Sequence, residues 1–149
     1  MEATIQDKKS FMIKHIELGH LKSEDYKELL VAMKAAYTNW QGSYWTIETI
    51  NKLINKFPQG QIVIKADDVV VGCALSLIVD YDKFGDDHTY RQITGNYTFS
   101  THDPKNGDVL YGIEIFIHPD YRGLRLGRRL YDARKELCEQ LNLRAIVFG

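Results

Sequence analysis

Arginine residues are concentrated near the end of the sequence, in a pattern suited to binding phosphate. Six of the seven arginines fall within the last 28 residues, and residues 121–129 contain four of them with two glycines and no acid. A guanidinium group binds phosphate oxygens in a planar fork, and glycine lets a backbone approach a ligand closely. Because this segment joins a predicted strand to a predicted helix, unpaired N–H groups and the positive end of the helix dipole converge there. The pattern predicts a diphosphate site at the start of the helix.

The same arginines also fit a solvent-exposed helix face. Arg129 and Arg134 are assigned to such a face, where they would pair with Asp132 and Glu136. For residues 122–128 both interpretations stay open, since two glycines in a loop are a weak signal. The segment is not a P-loop, because its glycines are too close together and no Gly-Lys-Ser/Thr follows. It also lacks the three glycines of a dinucleotide fingerprint.

A polar connection over residues 81–108 carries further reactive groups. An acidic run lies at the start of this connection, and charge runs of this kind are more often solvated surface. The aspartates of this run are Asp80, which directly precedes the connection, and Asp82, Asp86 and Asp87 within it. Possible metal ligands also occur here, but their spacing matches no known metal site, so no metal ion is expected. They are His88, His102, Asp86 and Asp103.

The composition is that of one ordinary globular domain. The chain has 149 residues, 44% of them hydrophobic, and a formal net charge of −1. A chain of this length buries about two thirds of its unfolded surface without needing a metal or disulfide. The balanced charge disfavours a general nucleic-acid binder, and no apolar run reaches the length of a membrane span. Cys73 and Cys138 lie among apolar residues and are expected to be buried, reduced thiols, which favours a cytoplasmic protein.

Capping residues and hydrophobic spacing predict the elements that position these groups. Ser23 and Thr46 are predicted to cap the first two helices, and Pro58 and Gly60 to end the second. The predicted strands are residues 10–18, 61–66, 69–80, 109–117 and 144–148, with a best helix at 126–141, a short helix at 87–93 and a short strand at 97–99. This order is typical of an α/β fold with a mixed sheet and helices packed on it.

Residues 115–127 resemble the acyl-CoA motif of the GNAT superfamily of N-acetyltransferases. In that motif Arg/Gln-x-x-Gly-x-Gly/Ala follows an apolar strand and a His/Asn-Pro step, here His118 and Pro119. Arg125 replaces the first motif glycine. The resemblance implies a GNAT-type acyl-CoA N-acyltransferase fold, of class α/β (α+β), with a mixed, mostly antiparallel sheet flanked by helices.

A closer similarity covers most of the chain. Residues 80–90 and 111–141 resemble the N-terminal GNAT domain of bacterial proteins fused to a carbon–nitrogen hydrolase (nitrilase-like) domain. Since the family fold has a further C-terminal lobe, the domain at residues 1–149 is expected to be truncated after its fifth strand. An exposed edge strand at that point could pair with a second copy, which makes a homodimer an expectation.

The resemblance implies roles for particular residues. Backbone groups of Ile115, Phe116 and Ile117 are expected to bind the pantetheine arm and the acetyl carbonyl of acetyl-CoA. The backbone of the motif is expected to bind the pyrophosphate through Arg122, Gly123, Leu124, Arg125, Leu126, Gly127 and Arg128. Glu114 is similar in placement to the glutamate that some members use as a general base. It is expected to point opposite to Ile113 and Ile115, and a pair with an Arg or Lys across the sheet is the alternative interpretation.

The function implied is transfer of an acetyl group from acetyl-CoA to a primary amine of a small molecule or peptide, without a metal. Trp40, Tyr44 and Trp45 are candidates for the acceptor side of the cleft, with core packing as their alternative role. A second hypothesis is a non-catalytic acyl-CoA-binding module that regulates a hydrolase fused in a larger protein, favoured by the missing lobe and by Arg125. No nucleic-acid or membrane partner is expected.

Overall fold

Five β-strands and four α-helices occur in residues 13–38 and 44–148, the residues that this computed structural model describes. The strands are β1 (Ile16–His20), β2 (Ile62–Ala66), β3 (Val69–Val79), β4 (Val109–Ile117) and β5 (Ala145–Phe148). The helices are α1 (Tyr26–Ala36), α2 (Ile47–Lys56), α3 (Tyr90–Ile93) and α4 (Leu126–Gln140). None of the described helices is long and apolar enough to cross a membrane.

The strands form one five-stranded sheet in sequence order. Neighbouring strands from β1 to β4 are antiparallel, and β5 runs parallel to β4. The prediction of a mixed, mostly antiparallel sheet is therefore confirmed. The turn between β2 and β3 consists of Asp67 and Asp68, which both have positive φ, as tight hairpin turns require.

A bulge in β4 determines which way the second half of the strand faces. Leu75 of β3 pairs with Glu114, whereas its neighbour Ser76 pairs with Gly112, so Ile113 is the extra residue. An extra residue shifts the alternation of side chains between the two faces of the sheet. On its other edge β4 pairs with β5 only up to Gly112, so the rest of β4 has no neighbouring strand there among the described residues.

Apolar side chains pack against both faces of the sheet. On one face, buried residues of α1 and α2 such as Leu29 and Leu53 share a cluster with Leu75, Tyr111 and Phe116. On the other face, α4 packs through an apolar stripe against strand residues that alternate with the first set. The result is a three-layer arrangement in which β4 lies between α1 and α4.

The helix boundaries differ in part from those predicted. The Thr46 hydroxyl accepts a hydrogen bond from the Thr49 N–H at 3.2 Å, so Thr46 caps α2 as predicted. Ser23 is not a cap. Instead, residues 23–25 form a 3₁₀ turn before α1. The Asp25 carboxylate accepts a hydrogen bond from the Lys22 N–H at 3.0 Å, which closes this turn, and it also forms an ion pair with Lys65 at 3.1 Å. The first strand is shorter than predicted, and residues 10–12 lie outside the described part.

The long connection before β4 is ordered by buried anchors rather than by a strand. The predicted strand at residues 97–99 is wrong, because Asn96, Tyr97 and Phe99 all have positive φ, which an extended chain excludes. Phe99 is fully buried in the core. The predicted helix at 87–93 is real but shorter, because Thr89 caps it by accepting from the Gln92 N–H at 3.0 Å.

Cys73 and Cys138 are free and buried, as expected. Burial raises the pKa of both thiols above the ordinary cysteine value. Neither environment favours a reactive thiolate, so both side chains act as small apolar core groups.

The environment of His102 leads us to expect that the stability of the folded protein depends on pH. Its Nδ1 accepts a hydrogen bond from the Ile78 N–H at 3.1 Å, and its ring stacks on Phe57. Burial and then the charge of Lys56 lower the pKa of His102 below its ordinary value. A lowered pKa means that the folded state resists protonation, so this stability is present above about pH 6.5 and is lost as the pH falls.

The expected result is a thermal midpoint that declines more steeply between about pH 7 and about pH 5 for the parent chain than for His102→Asn. Asparagine keeps an acceptor for the Ile78 N–H but does not titrate. Equal slopes for the two proteins would contradict this role of His102.

Candidate active site

The turn between β4 and α4 brings the arginine-rich segment to the start of a helix. His118 Nδ1 accepts from the Asp120 N–H at 3.1 Å, which shapes the 3₁₀ turn that follows the strand. Gly123 then has φ of +84° and Arg125 has φ of +60°. Arg122, Arg125 and Arg128 are exposed, and the first turn of α4 contains no acidic residue. The predicted cations and open helix N–H groups are thus brought together at one place.

Arg125 occupies the left-handed conformation at the N-cap of α4. The motif that residues 115–127 resemble has glycine at this position. The left-handed conformation explains that preference, because a residue with a Cβ pays about 1 kcal/mol to adopt it. We expect Arg125→Gly to be more stable than Arg125→Ala by about that amount in denaturant unfolding, because both lose the same cation and only alanine keeps the Cβ. Equal stabilities of the two variants would contradict the strain at this position.

The second half of β4 has an outer edge next to this turn that pairs with no strand among the described residues, here called the free edge of β4. Ile115 is 39% exposed although it lies in a strand, and Ile117 is half-buried. Phe116 is buried and its ring meets the Tyr37 ring edge-on, so its side chain belongs to the core. Any ligand along this edge would therefore meet Phe116 through its backbone only.

Glu114 lies beside this edge, held by two aromatic side chains. The Tyr37 hydroxyl donates to Glu114 Oε1 at 2.6 Å, and Trp45 Nε1–H donates to Oε2 at 3.1 Å. The Ile115 N–H also donates to Oε1 at 3.0 Å. The alternative interpretation, a pair with an Arg or Lys across the sheet, finds no support, since none of the ion pairs found among the described residues includes Glu114. The bulge at Ile113 turns both Ile113 and Glu114 toward α1 and α2, so the expectation that they point oppositely is wrong.

The two residues that hold Glu114 are themselves fixed by tyrosines. Tyr44 Oη donates to the Tyr37 carbonyl at 3.0 Å, and Tyr26 Oη donates to the Trp45 carbonyl at 2.6 Å. Burial, the hydrogen bond to Glu114 and its negative charge raise the pKa of Tyr37 above the ordinary tyrosine value. Tyr37 therefore stays a neutral hydroxyl at physiological pH. Trp40 lies outside the described residues.

Arg134 is buried, which corrects its assignment to an exposed helix face. Its Nε donates to Ser76 Oγ at 3.1 Å, and its Nη2 donates to the carbonyl oxygens of Leu75 and Glu114. These two carbonyls flank the bulge, where the hydrogen-bond ladder between β3 and β4 is interrupted. The guanidinium group therefore supplies the donors that the ladder lacks at this point. Burial lowers the pKa of Arg134 to about 10, which leaves it charged at neutral pH.

Close packing explains how β4 accommodates this arginine. A Cβ added to Gly112 would lie 2.8 Å from Arg134 Nη1 and 2.8 Å from the Phe148 ring, so a larger residue at that position would have to displace these side chains. Arg134 Nη1 is buried and has no hydrogen-bond partner among the described residues. Arg129 is exposed as predicted, but no described ion pair joins it to Asp132.

The polar groups of the long connection serve local structure. His88 lies between the Gly85 carbonyl at 2.6 Å and Tyr111 Oη at 2.7 Å, and Asp86 accepts from Tyr81 Oη at 2.9 Å. No group of three His, Cys, Asp or Glu side chains gathers anywhere in the part of the chain that the structure describes.

Comparisons with known proteins agree with this arrangement. The sequence model of the Acetyltransferase (GNAT) family matches residues 26–149. The chain is 32% identical to a "Probable hydrolase YhcX" of Bacillus subtilis (strain 168), over 91% of this chain and 26% of that protein. It is 30% identical to an "Uncharacterized N-acetyltransferase YkwB" of the same organism, over 70% of this chain and 46% of that protein. The chain thus spans less than half the length of either relative.

A solved structure shows the same fold. The loading GNATL domain of CurA from Lyngbya majuscula superimposes with a TM-score of 0.69 and 26% identity, covering 85% of this chain and 60% of that one. The five-stranded mixed sheet, its flanking helices and the family match all agree with one another. The chain belongs to the acetyltransferase (GNAT) family, and its fold is the GNAT fold.

Proposed function

We propose that this domain transfers an acetyl group from acetyl-CoA to the primary amine of a small molecule or peptide. The observation that carries the proposal is the position of Glu114, a carboxylate beside the free edge of β4, which leads to the arginine-rich turn at the start of α4. In this proposal the backbone of Ile115, Phe116 and Ile117 holds the pantetheine arm. The turn from Arg122 to Arg128 holds the pyrophosphate, because exposed guanidinium groups and open helix N–H groups favour anions.

Chemically, acyl transfer requires a neutral amine, a group that takes its proton and a donor for the developing oxyanion. Glu114 is proposed as the proton acceptor, since its oxygens are held by neutral donors and its charge is not paired with a described cation. Backbone N–H groups along the free edge of β4 are proposed as the oxyanion donors. The acidic residues near Asp86 are proposed to favour cationic amines.

The experiment is calorimetric titration with acetyl-CoA, followed by an assay of amine-dependent thiol release with polyamines, lysyl peptides and neutral amines. Arg128→Gln is expected to weaken acetyl-CoA binding by about tenfold, because one charge-assisted phosphate contact is lost. Arg129→Gln, exposed in the same turn of α4, is the matched control and is expected to bind as the parent does. If neutral amines react as well as polyamines, the proposed role of the acidic residues is wrong.

A second candidate function is a non-catalytic acyl-CoA-binding module within a longer hydrolase. It is favoured by the match of this chain to 26% of a relative whose name is that of a probable hydrolase. Binding of acetyl-CoA without any amine-dependent thiol release would support this module, and absence of binding would contradict both functions.

A further inference from the structure

Among the described residues, three donors surround the Glu114 carboxylate, and they differ in what they can do with a proton. The indole Nε1–H of Trp45 and the backbone N–H of Ile115 can only donate. The hydroxyl of Tyr37 donates to Glu114 Oε1 but also carries lone pairs that can accept a proton. Tyr37 is therefore the one member of this set that can pass a proton to the carboxylate.

The location of Tyr37 fits such a role. Its hydroxyl is 2.6 Å from Glu114 Oε1 and 3.4 Å from the carbonyl oxygen of Ile115, on the free edge of β4. Its ring packs edge-on against Phe116, and its own carbonyl is held by Tyr44. The hydroxyl is thus fixed between the carboxylate and the strand along which the acyl arm is proposed to lie.

We propose that Tyr37 relays the proton of the attacking amine to Glu114, whereas Trp45 only holds the carboxylate in place. This inference rests on the proposed acetyl transfer. The amine nitrogen forms a bond to the thioester carbon, and the C–S bond breaks with its electron pair on the leaving thiolate. The amine proton passes to Tyr37 Oη as the Tyr37 hydroxyl proton passes to Glu114 Oε1, so tyrosine is neutral before and after the step.

A concerted relay is favoured because burial and the hydrogen bond to Glu114 raise the pKa of Tyr37, which disfavours a free tyrosinate. Two protons then move in the same step, which differs from direct transfer to Glu114, where one moves. Mixtures of light and heavy water distinguish the two cases, since the rate depends on the deuterium fraction in a curved way for two protons and linearly for one.

The test measures single-turnover rates at saturating acetyl-CoA for the parent, Tyr37→Phe, Trp45→Phe and Glu114→Gln, with Tyr131→Phe as an exposed control on α4. We expect a curved dependence for the parent and a loss of about 10²-fold for Tyr37→Phe, with a smaller loss for Trp45→Phe. The double variant Tyr37→Phe/Glu114→Gln is expected to be no slower than Glu114→Gln alone, because the relay then has no proton acceptor.

Other outcomes overturn the relay. A linear dependence in the parent protein, or equal losses for Tyr37→Phe and Trp45→Phe, would assign both residues to holding the carboxylate. Additive losses in the double variant would also contradict the relay, because they would show that Tyr37 acts independently of Glu114. A parent protein that binds acetyl-CoA but acetylates no amine would overturn the proposed function itself, and the relay with it.

Discussion

Replacing Glu114 with glutamine is expected to lower kcat for amine acetylation by about 10²- to 10⁴-fold while leaving acetyl-CoA binding unchanged. Glutamine keeps an oxygen that can accept from Tyr37, but its amide cannot take up a proton at neutral pH. Its NH₂ group would also face the Trp45 indole N–H, which places two donors opposite each other. Steady-state rates and calorimetric affinity for acetyl-CoA, measured on the same preparation, separate the two effects.

Glu136→Gln is the matched control for this variant, because Glu136 is exposed on α4. It is expected to behave as the parent protein in both measurements. If Glu114→Gln retained the parental kcat, Glu114 would be a structural carboxylate that only orders Tyr37 and Trp45. The acetyl transfer would then use another proton acceptor.

Replacing Arg134 with methionine is expected to lower the free energy of unfolding by about 3 kcal/mol or more. Methionine keeps much of the apolar volume, but the carbonyls of Leu75 and Glu114 lose their charged donor at the bulge. A buried carbonyl without a donor is costly, so removing the charge does not compensate. For a chain of this length the thermal midpoint should fall by about 6 to 12 °C.

Arg129→Met serves as the control, because Arg129 is exposed on the same helix. A surface substitution of this kind is expected to change stability by less than about 0.5 kcal/mol. Equal midpoints for Arg134→Met and Arg129→Met would show that the hydrogen bonds of Arg134 contribute nothing to stability.

Local patterns predicted the elements and the arginine-rich turn well, because each is decided by neighbouring residues. The Thr46 cap, the β2–β3 hairpin and the apolar stripe of α4 depend on short-range spacing, and the structure has all three. The 97–99 segment was mispredicted as a strand because its aromatic composition favours one. Burial of Phe99 in the core overrides that preference, which is a long-range effect.

The contacts around Glu114 could not be predicted from spacing, since they join residues far apart in sequence. Tyr37 and Trp45 precede Glu114 by 77 and 69 positions. The spacing of Arg134 in the sequence indicates that it is buried, although its charge favours an exposed position. It lies at intervals of four residues from Leu126, Leu130 and Cys138, so it falls on the buried stripe of α4. The bulge at Ile113, which turns Glu114 toward α1, has one marker in the strand, the neighbouring Gly112, since a glycine inside a strand often indicates a bulge.

The proposed acetyl transfer is tested most directly by mixing the protein with acetyl-CoA and one primary amine. The acetylated amine and free CoA are then both measured, the amine by mass spectrometry. We expect N-acetyl product and free CoA in equal amounts, both lost in Glu114→Gln at an unchanged affinity for acetyl-CoA. Binding of acetyl-CoA with no acetylated amine from the parent protein, across polyamines, lysyl peptides and neutral amines, would contradict the account.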